Sequence, residues 1–166
     1  MKTFLSLTTI VLIIFLSACS NKTEDAIKYN DQIISKQQIV VQWFNKLDSS
    51  FTDTINQSYK TIHQQIISEI KSQFGFIDSL PAFDKKEEFK NAYKELLSVY
   101  DDVIKNDYQK MIDLYSMPDS LYTQNVKNEF LQTNKFANEK LQNALNKFID
   151  FQKQFASNYK FNLQEE

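Results

Sequence analysis

The sequence predicts an all-α protein, folded as an antiparallel up-and-down bundle of four long helices. The first observation is the scarcity of helix breakers, because the 166 residues include one glycine and two prolines, whereas strands and hairpins need glycine-rich turns. The second is that apolar residues recur at three- and four-residue steps over long segments, as in helices with one buried face. Four such helices bury all of these faces against one another.

The N-terminal segment has the proportions of a secretory signal peptide. Lys2 precedes a mostly apolar run from Phe4 to Leu16, which ends near the only cysteine, Cys19. This run is too short for a membrane-spanning helix, which needs about 20 apolar residues. We therefore interpret the run as an export signal.

The tetrad Leu16-Ser17-Ala18-Cys19 resembles the lipobox of bacterial lipoprotein signals. The resemblance implies that Cys19 carries the lipid and becomes the first residue of the mature chain. Residues 1–18 are then the signal peptide, 19–23 a lipidated tether and 24–163 the helical-bundle domain. Two or three acyl chains hold a protein stably on a membrane, whereas one is marginal. The membrane is thus a predicted partner.

The predicted address is the bacterial cell envelope, at the outer membrane rather than the inner one. Ser20 follows the cysteine, in place of the aspartate that tends to retain enteric lipoproteins at the inner membrane. Which side of the outer membrane the protein occupies is left open.

Composition excludes several function classes. Lipidation of Cys19 leaves no thiol for a disulfide, a redox couple or a metal site. Loss of Lys2 with the signal leaves 18 lysines, no arginine and 21 acidic residues, a formal charge of about −3. Nucleic-acid and phosphate recognition rely on guanidinium groups and clustered positive charge. We therefore predict no nucleic-acid partner and no cofactor.

The first two helices are predicted at 24–47 and 51–74, with a turn around Asp48–Ser50. Poor helix formers cluster there, and Ser50 and Asp53 have capping-box-like spacing. One unbroken helix would be about 75 Å long and would leave its first apolar residues without a partner. A bundle of three helices, with the first two continuous, is the alternative.

The third and fourth helices are predicted at 84–117 and 119–160. Asp84 is a candidate cap of the third helix, and Pro118 suits the first turn of the fourth, where its missing N–H costs nothing. The tip of this second hairpin is expected to project beyond the first.

Several short stretches combine polar and aromatic residues: Tyr29-Asn30-Asp31 with Gln37, Phe83-Asp84 with Phe89 and Tyr93, Asn106-Asp107-Tyr108, and the stretch from Phe155 to Phe161. Together they resemble small helical surface lipoproteins of spirochaetes and Bacteroidota. This family brings no established activity, so the resemblance supports the bundle and the lipid anchor alone.

No catalytic or metal-binding constellation can be assembled from the sequence. His63 is the sole histidine and has no carboxylate within one turn on its helix face, so neither a zinc site nor a catalytic triad follows. We expect a structural histidine whose replacement by alanine leaves stability nearly unchanged, and a protein that is not an enzyme.

Three polar residues fall within predicted apolar stripes: Asn30, Gln37 and Asp107. Buried polar side chains cost stability unless paired, so they fix helix register or line a cavity. From its height along the third helix, Asp107 is expected to accept hydrogen bonds from the first amides of the second helix.

Trp43 and Phe136 lie off the predicted stripes. They are expected at similar heights on the first and fourth helices, where they either close the contact between these helices or form an exposed partner surface. The predicted function is therefore a non-enzymatic binding or assembly protein, with an envelope protein as candidate partner. The alternative is a carrier of a small apolar ligand in the bundle core.

Overall fold

The computed structural model describes the backbone of residues 5–52 and 58–163, and the side chains of 22–52 and 58–163. This part of the chain is helical and contains no strand. Three segments form one continuous third helix, here called the α3–α4 helix, whose middle we call the π-segment. The elements are α1 (Leu5–Ser50), α2 (Tyr59–Ser79), α3 (Glu88–Asp102), the π-segment (Val103–Tyr108), α4 (Gln109–Tyr115), a 3₁₀ turn (Asp119–Leu121) and α5 (Gln124–Tyr159).

The helices form a ring in which each packs on its neighbours in the chain. α1 packs on α2, α2 on the α3–α4 helix, and the α3–α4 helix on α5, which closes the ring against α1. Successive helices run antiparallel. The predicted all-α, four-helix bundle is confirmed.

The break between the first two helices comes later than predicted. α1 continues through Ser49 and Ser50 into a turn at Phe51–Thr52, and α2 begins at Tyr59. The serine hydroxyls donate to carbonyl groups of their own helix, Ser50 Oγ to Leu47 O at 2.6 Å, which makes serine tolerable in a last helical turn. The three-helix alternative is therefore wrong. Asp53 lies outside the described residues.

The α3–α4 helix ends level with the turn after α1, whereas the first two turns of α5 extend past that turn. The projection expected of the second hairpin is therefore found at the start of α5 and not in the third helix. The Tyr59 hydroxyl lies 3.2 Å from Ser116 Oγ. The Tyr115 hydroxyl donates to Phe51 O at 2.7 Å. The ends of α1 and of the α3–α4 helix match in height because the α3–α4 helix starts four residues later than predicted while α1 ends three residues later.

The last helix begins at Gln124 rather than at Asp119, and Pro118 lies outside its first turn. Thr123 is its N-cap, since its hydroxyl accepts a hydrogen bond from the Val126 N–H at 3.4 Å. Pro118 instead begins the 3₁₀ turn, in which the Leu121 N–H donates to Pro118 O at 2.8 Å. A threonine offers an acceptor to the unpaired amides of a first turn, which proline lacks.

Aromatic clusters close both ends of the bundle. At the end nearest the N-terminus, called the tether end, Tyr29, Phe83, Phe155 and Tyr159 have ring centroids 4.8–5.9 Å apart. At the opposite end, called the far end, Phe51, Tyr59, Tyr115 and Phe130 are 5.3–6.0 Å apart. Such pairs add about 0.5–1.5 kcal/mol each beyond area burial.

Asp84 fastens the loop between α2 and α3 to the end of α5. Its carboxylate accepts the N–H groups of Lys86 and Glu87 at 3.0 and 2.8 Å, and the Tyr159 hydroxyl at 2.8 Å. Burial acts to raise the pKa of Asp84, but these hydrogen bonds together outweigh it and lower the pKa. Asp84 therefore caps the turn leading into α3, although the helix itself starts at Glu88.

Replacing Asp84 by alanine should lower the free energy of unfolding at pH 7 by about 1–2 kcal/mol, as for other lost caps. The folded-state pKa lies below the unfolded value of about 3.9. The stabilisation is thus present above about pH 4 and is lost as the pH falls through the folded pKa. Urea unfolding at pH 7 and at lower pH values measures the effect.

Asp78→Ala is the matched control, because Asp78 forms an exposed ion pair with Lys94, of a kind that contributes little. An Asp84→Ala deficit that stays constant from pH 7 to pH 2 would contradict the role assigned to the carboxylate.

Candidate functional site

The π-segment decides which side chain the middle of the α3–α4 helix buries. In an uninterrupted α-helix, Asp107 lies in line with Val103 and Met111. A π-turn holds one extra residue, so Tyr108 enters the core with no exposed surface. Asp107 turns to the edge, where it accepts a hydrogen bond from Lys140 Nζ of α5 at 2.7 Å. Asp107 is therefore a half-buried ion-pair partner, and the expected contact with the start of α2 is wrong.

Asp48 of α1 is the carboxylate that meets the π-segment. The Tyr108 hydroxyl donates to Asp48 Oδ1 at 2.8 Å. Burial raises the pKa of Asp48, and the hydrogen bond from Tyr108 opposes this rise. Sequence reasoning missed this pair, because only the extra residue of the π-turn turns Tyr108 inward.

His63 is buried, with 2% of its surface exposed. Its Nε2–H donates to the carbonyl of Ile104, within the π-segment, at 2.8 Å. A π-turn interrupts the regular ladder of backbone hydrogen bonds, and His63 supplies a donor there from α2. His63 is thus bound into the fold. His63 is a structural histidine, as expected. Its replacement by alanine is now expected to lower stability, because a buried acceptor would lose its partner.

Asn30 and Gln37 are both buried and both hydrogen-bonded across helices. Asn30 Oδ1 accepts a hydrogen bond from Gln152 Nε2 of α5 at 3.0 Å. Gln37 Nε2 donates to the Tyr100 hydroxyl of α3 at 3.3 Å. These contacts fix the register of α1 against its neighbours, so the two side chains already have protein partners.

Two spaces in the described part of the bundle were candidates for a ligand site. A crevice of about 100 Å³ lies between α3 and α5, which is small beside the roughly 300–1,000 Å³ of ligand pockets. An open depression of about 500 Å³ lies on the outer face of α2, between the side chains of Lys60, Thr61, Gln64, Gln65 and Ser68. Neither space favours the carrier hypothesis. The crevice is lined by Ala92, Glu95, Leu96, Val99, Ala144, Lys147 and Phe148.

Trp43 lies on the edge of α1 that faces α2. Its ring is half-buried against the core, and Lys46 Nζ lies 4.7 Å from the ring centre. Lys36, nearly two helical turns earlier on the same face, lies over the Phe76 ring of α2 at 5.5 Å. Trp43 therefore seals the contact between α1 and α2 rather than that between α1 and α5.

Phe136 lies on the edge of α5 that faces the α3–α4 helix, and 49% of its surface is exposed. Lys140, one turn later, pairs with Asp107, and Glu129, nearly two turns earlier, pairs with Lys110 of α4 at 2.7 Å. Trp43 and Phe136 thus lie on different edges of the bundle. They do not form the common surface that the sequence suggested.

The described side chains contain no group of three or more histidine, cysteine, aspartate or glutamate residues placed to hold a metal ion. Within the same part of the chain, no helix has the length and apolar character needed to cross a membrane. Cys19 lies outside the described side chains. The chain matches no family model, and no curated protein or solved structure is significantly similar to it.

Replacing His63 by alanine should reduce the free energy of unfolding by about 2–3 kcal/mol, because it removes a buried ring and leaves the Ile104 carbonyl without its donor. Thermal or urea unfolding followed by circular dichroism measures this loss. Gln65→Ala, at an exposed position two residues further on, is the control and should change stability by less than about 0.5 kcal/mol. Equal stability of the two variants would refute the assigned role.

Trp43→Ala and Phe136→Ala should differ in stability. The half-buried Trp43 should cost about 2 kcal/mol, somewhat less than the roughly 3–5 kcal/mol of fully buried aromatics. The more exposed Phe136 should cost about 0.5 kcal/mol or less. Unfolding of the two variants beside the parent chain tests this. A Phe136→Ala loss as large as that of Trp43→Ala would show that Phe136 is a core residue.

Proposed function

We propose that the chain is a lipid-anchored lipoprotein of the bacterial envelope, which acts without catalysis through its surface as a binding or assembly protein. The observation that carries this proposal is the Leu16-Ser17-Ala18-Cys19 tetrad at the end of an apolar run. Outer-membrane attachment and an envelope-protein partner belong to the same proposal.

The geometry at the tether end supports an anchor close to the bundle. Thr23, four residues after Cys19, donates its hydroxyl hydrogen bond to Tyr159 O at 3.0 Å. Lys22 Nζ lies 5.2 Å from the centre of the Tyr159 ring. A lipid on Cys19 would therefore hold the tether end against the membrane. The far end would stand about 45 Å away, at about 1.5 Å per residue of α1.

The use of the interior polar groups supports a non-enzymatic role. His63, Asn30 and Gln37 are each hydrogen-bonded within the bundle. General acid–base or nucleophilic catalysis needs such groups turned toward a substrate space. The crevice between α3 and α5 has one acid–base pair on its wall, and Glu95 and Lys147 of this pair are bound to each other in an exposed ion pair at 2.6 Å. Surface recognition is therefore the function that this chain's chemistry favours.

Mass spectrometry of the N-terminus of the protein purified from envelopes tests the anchor. We expect the mature chain to begin at an acylated Cys19. Cys19→Ser should remove the lipid and release the protein from the membrane fraction. Ser20→Ala, next to it, should remain lipidated and membrane-bound. An unmodified Cys19, or cleavage at another bond, would overturn the lipoprotein proposal.

A further inference from the structure

An apolar stripe follows the outer edge where α1 meets α5. On α1, Ile27, Ile34 and Val41 recur every seven residues, which places them on one face of the helix. On α5, Leu145 and Ile149 lie on the edge turned toward α1. All are partly exposed, and Ile27 has 37% of its surface exposed. We call these five residues the α1–α5 stripe.

Two hydrogen bonds set the height of each residue along this edge. Asn30 bonds Gln152, and Thr23 bonds Tyr159, so seven residues up α1 correspond to seven residues back along α5. By this count, Ile149 lies within about 2 Å of the height of Ile34. Leu145 lies about midway between Ile34 and Val41. The α5 residues of the stripe therefore lie beside the part of α1 between Ile34 and Val41.

The stripe is apolar enough to bind another helix pair, since heptad-spaced aliphatic side chains form the contact surface of coiled coils. Its exposed borders carry mainly uncharged amides, among them Asn45, Asn138 and Gln142. Uncharged borders lack the like-charge repulsion that would keep two identical surfaces apart.

We propose that the α1–α5 stripe binds the same stripe of a second copy of this chain, with the two copies parallel. The two copies are related by a two-fold axis that runs parallel to the bundle, so that α1 of one copy lies on α5 of the other at equal height. Ile34 then meets Ile149 of the second copy, and Leu145 fits between Ile34 and Val41. Aliphatic side chains thus face aliphatic side chains from Ile34 to Val41.

Charge favours the parallel arrangement. Asp31 and Lys153 are exposed on the outer faces of α1 and α5, and the same count places them about 3 Å apart in height. Parallel copies bring each Asp31 toward the Lys153 of its neighbour. Antiparallel copies instead place α1 on α1 and lack this pairing.

The parallel orientation also rests on the proposed lipid anchor. Two copies held by Cys19 in one membrane have their tether ends on the same side. A two-fold axis along the membrane normal satisfies this condition, and an axis across the bundle does not.

Oxidative cross-linking of the full chain in membranes tests the interface. Two differently tagged chains are co-expressed, one with Ile34→Cys and the other with Ile149→Cys, and a disulfide carrying both tags is measured. The tagged parent chains, whose only cysteine is Cys19, are the blank. We expect the mixed product to exceed both the blank and the Ile34–Ile34 product.

Val41→Glu on both chains should reduce the mixed product by roughly tenfold, because a buried carboxylate opposes association. Phe136→Glu is the matched control, since it charges an exposed apolar position on another edge, and it should leave the product unchanged. Asp31→Lys should also lower the yield, and adding Lys153→Asp should restore it. Unfolding of each variant shows that the fold persists.

Absence of the mixed product, a dominant Ile34–Ile34 product, or equal loss in Val41→Glu and Phe136→Glu would overturn the parallel interface. Mass spectrometry of Cys19 in the same samples tests the lipid anchor independently of the interface. A lipidated Cys19 without the mixed product refutes the interface alone. The mixed product with an unmodified Cys19, above the blank, refutes the lipoprotein proposal alone.

Discussion

The centre of the bundle depends on keeping the Asp107 carboxylate out of the core. The hydrogen bond from His63 to the Ile104 carbonyl lies where the third helix achieves this. The face of the third helix that carries Tyr100 and Val103 would next present Asp107, and burying that carboxylate would cost several kcal/mol. The π-segment inserts one residue, so that Tyr108 and Ile112 follow instead. The interrupted backbone ladder then receives a donor from α2, and the displaced Asp107 pairs with Lys140 of α5. One local irregularity therefore ties three helices together.

Tyrosine hydroxyls fix the heights of the helices relative to one another. A buried hydroxyl needs a partner, so each such contact is satisfied at one register only. These bonds link different helices or loops from the tether end to the far end. They fix the relative heights of the helices without covalent cross-links, since the chain has a single cysteine. The pairs are Tyr159 with Asp84, Tyr93 with Gln73, Tyr100 with Gln37, Tyr108 with Asp48, Tyr59 with Ser116, and Tyr115 with the carbonyl of Phe51.

The fold class was predictable because long stretches without glycine or proline and with helical periodicity allow little else. The π-turn was not predictable, since it contains no proline or glycine and moves every later residue of its helix by about 100°. Asp107 was misplaced for this reason.

Trp43 was assigned to the wrong edge for another reason. An up-and-down bundle can turn left or right, and an apolar stripe defines the inward face of a helix without telling which neighbour lies on which side. Contacts such as Lys36 with Phe76 decide this only in the folded chain.

The inward faces of the helices and the outer edges between them differ in what they can bind. His63, Asn30 and Gln37 are bonded to other parts of the chain. The recognition that we propose therefore falls to the outer edges, and the edges differ. The edge between α5 and the α3–α4 helix carries ion pairs around Phe136, the outer face of α2 is polar, and the edge between α1 and α5 is aliphatic with amide borders. A bundle anchored through its tether end would present all of these sideways, in the plane of the membrane. Confinement to that plane raises the effective concentration of neighbouring copies. Anchoring in one membrane therefore favours lateral association through the α1–α5 stripe over association in dilute solution.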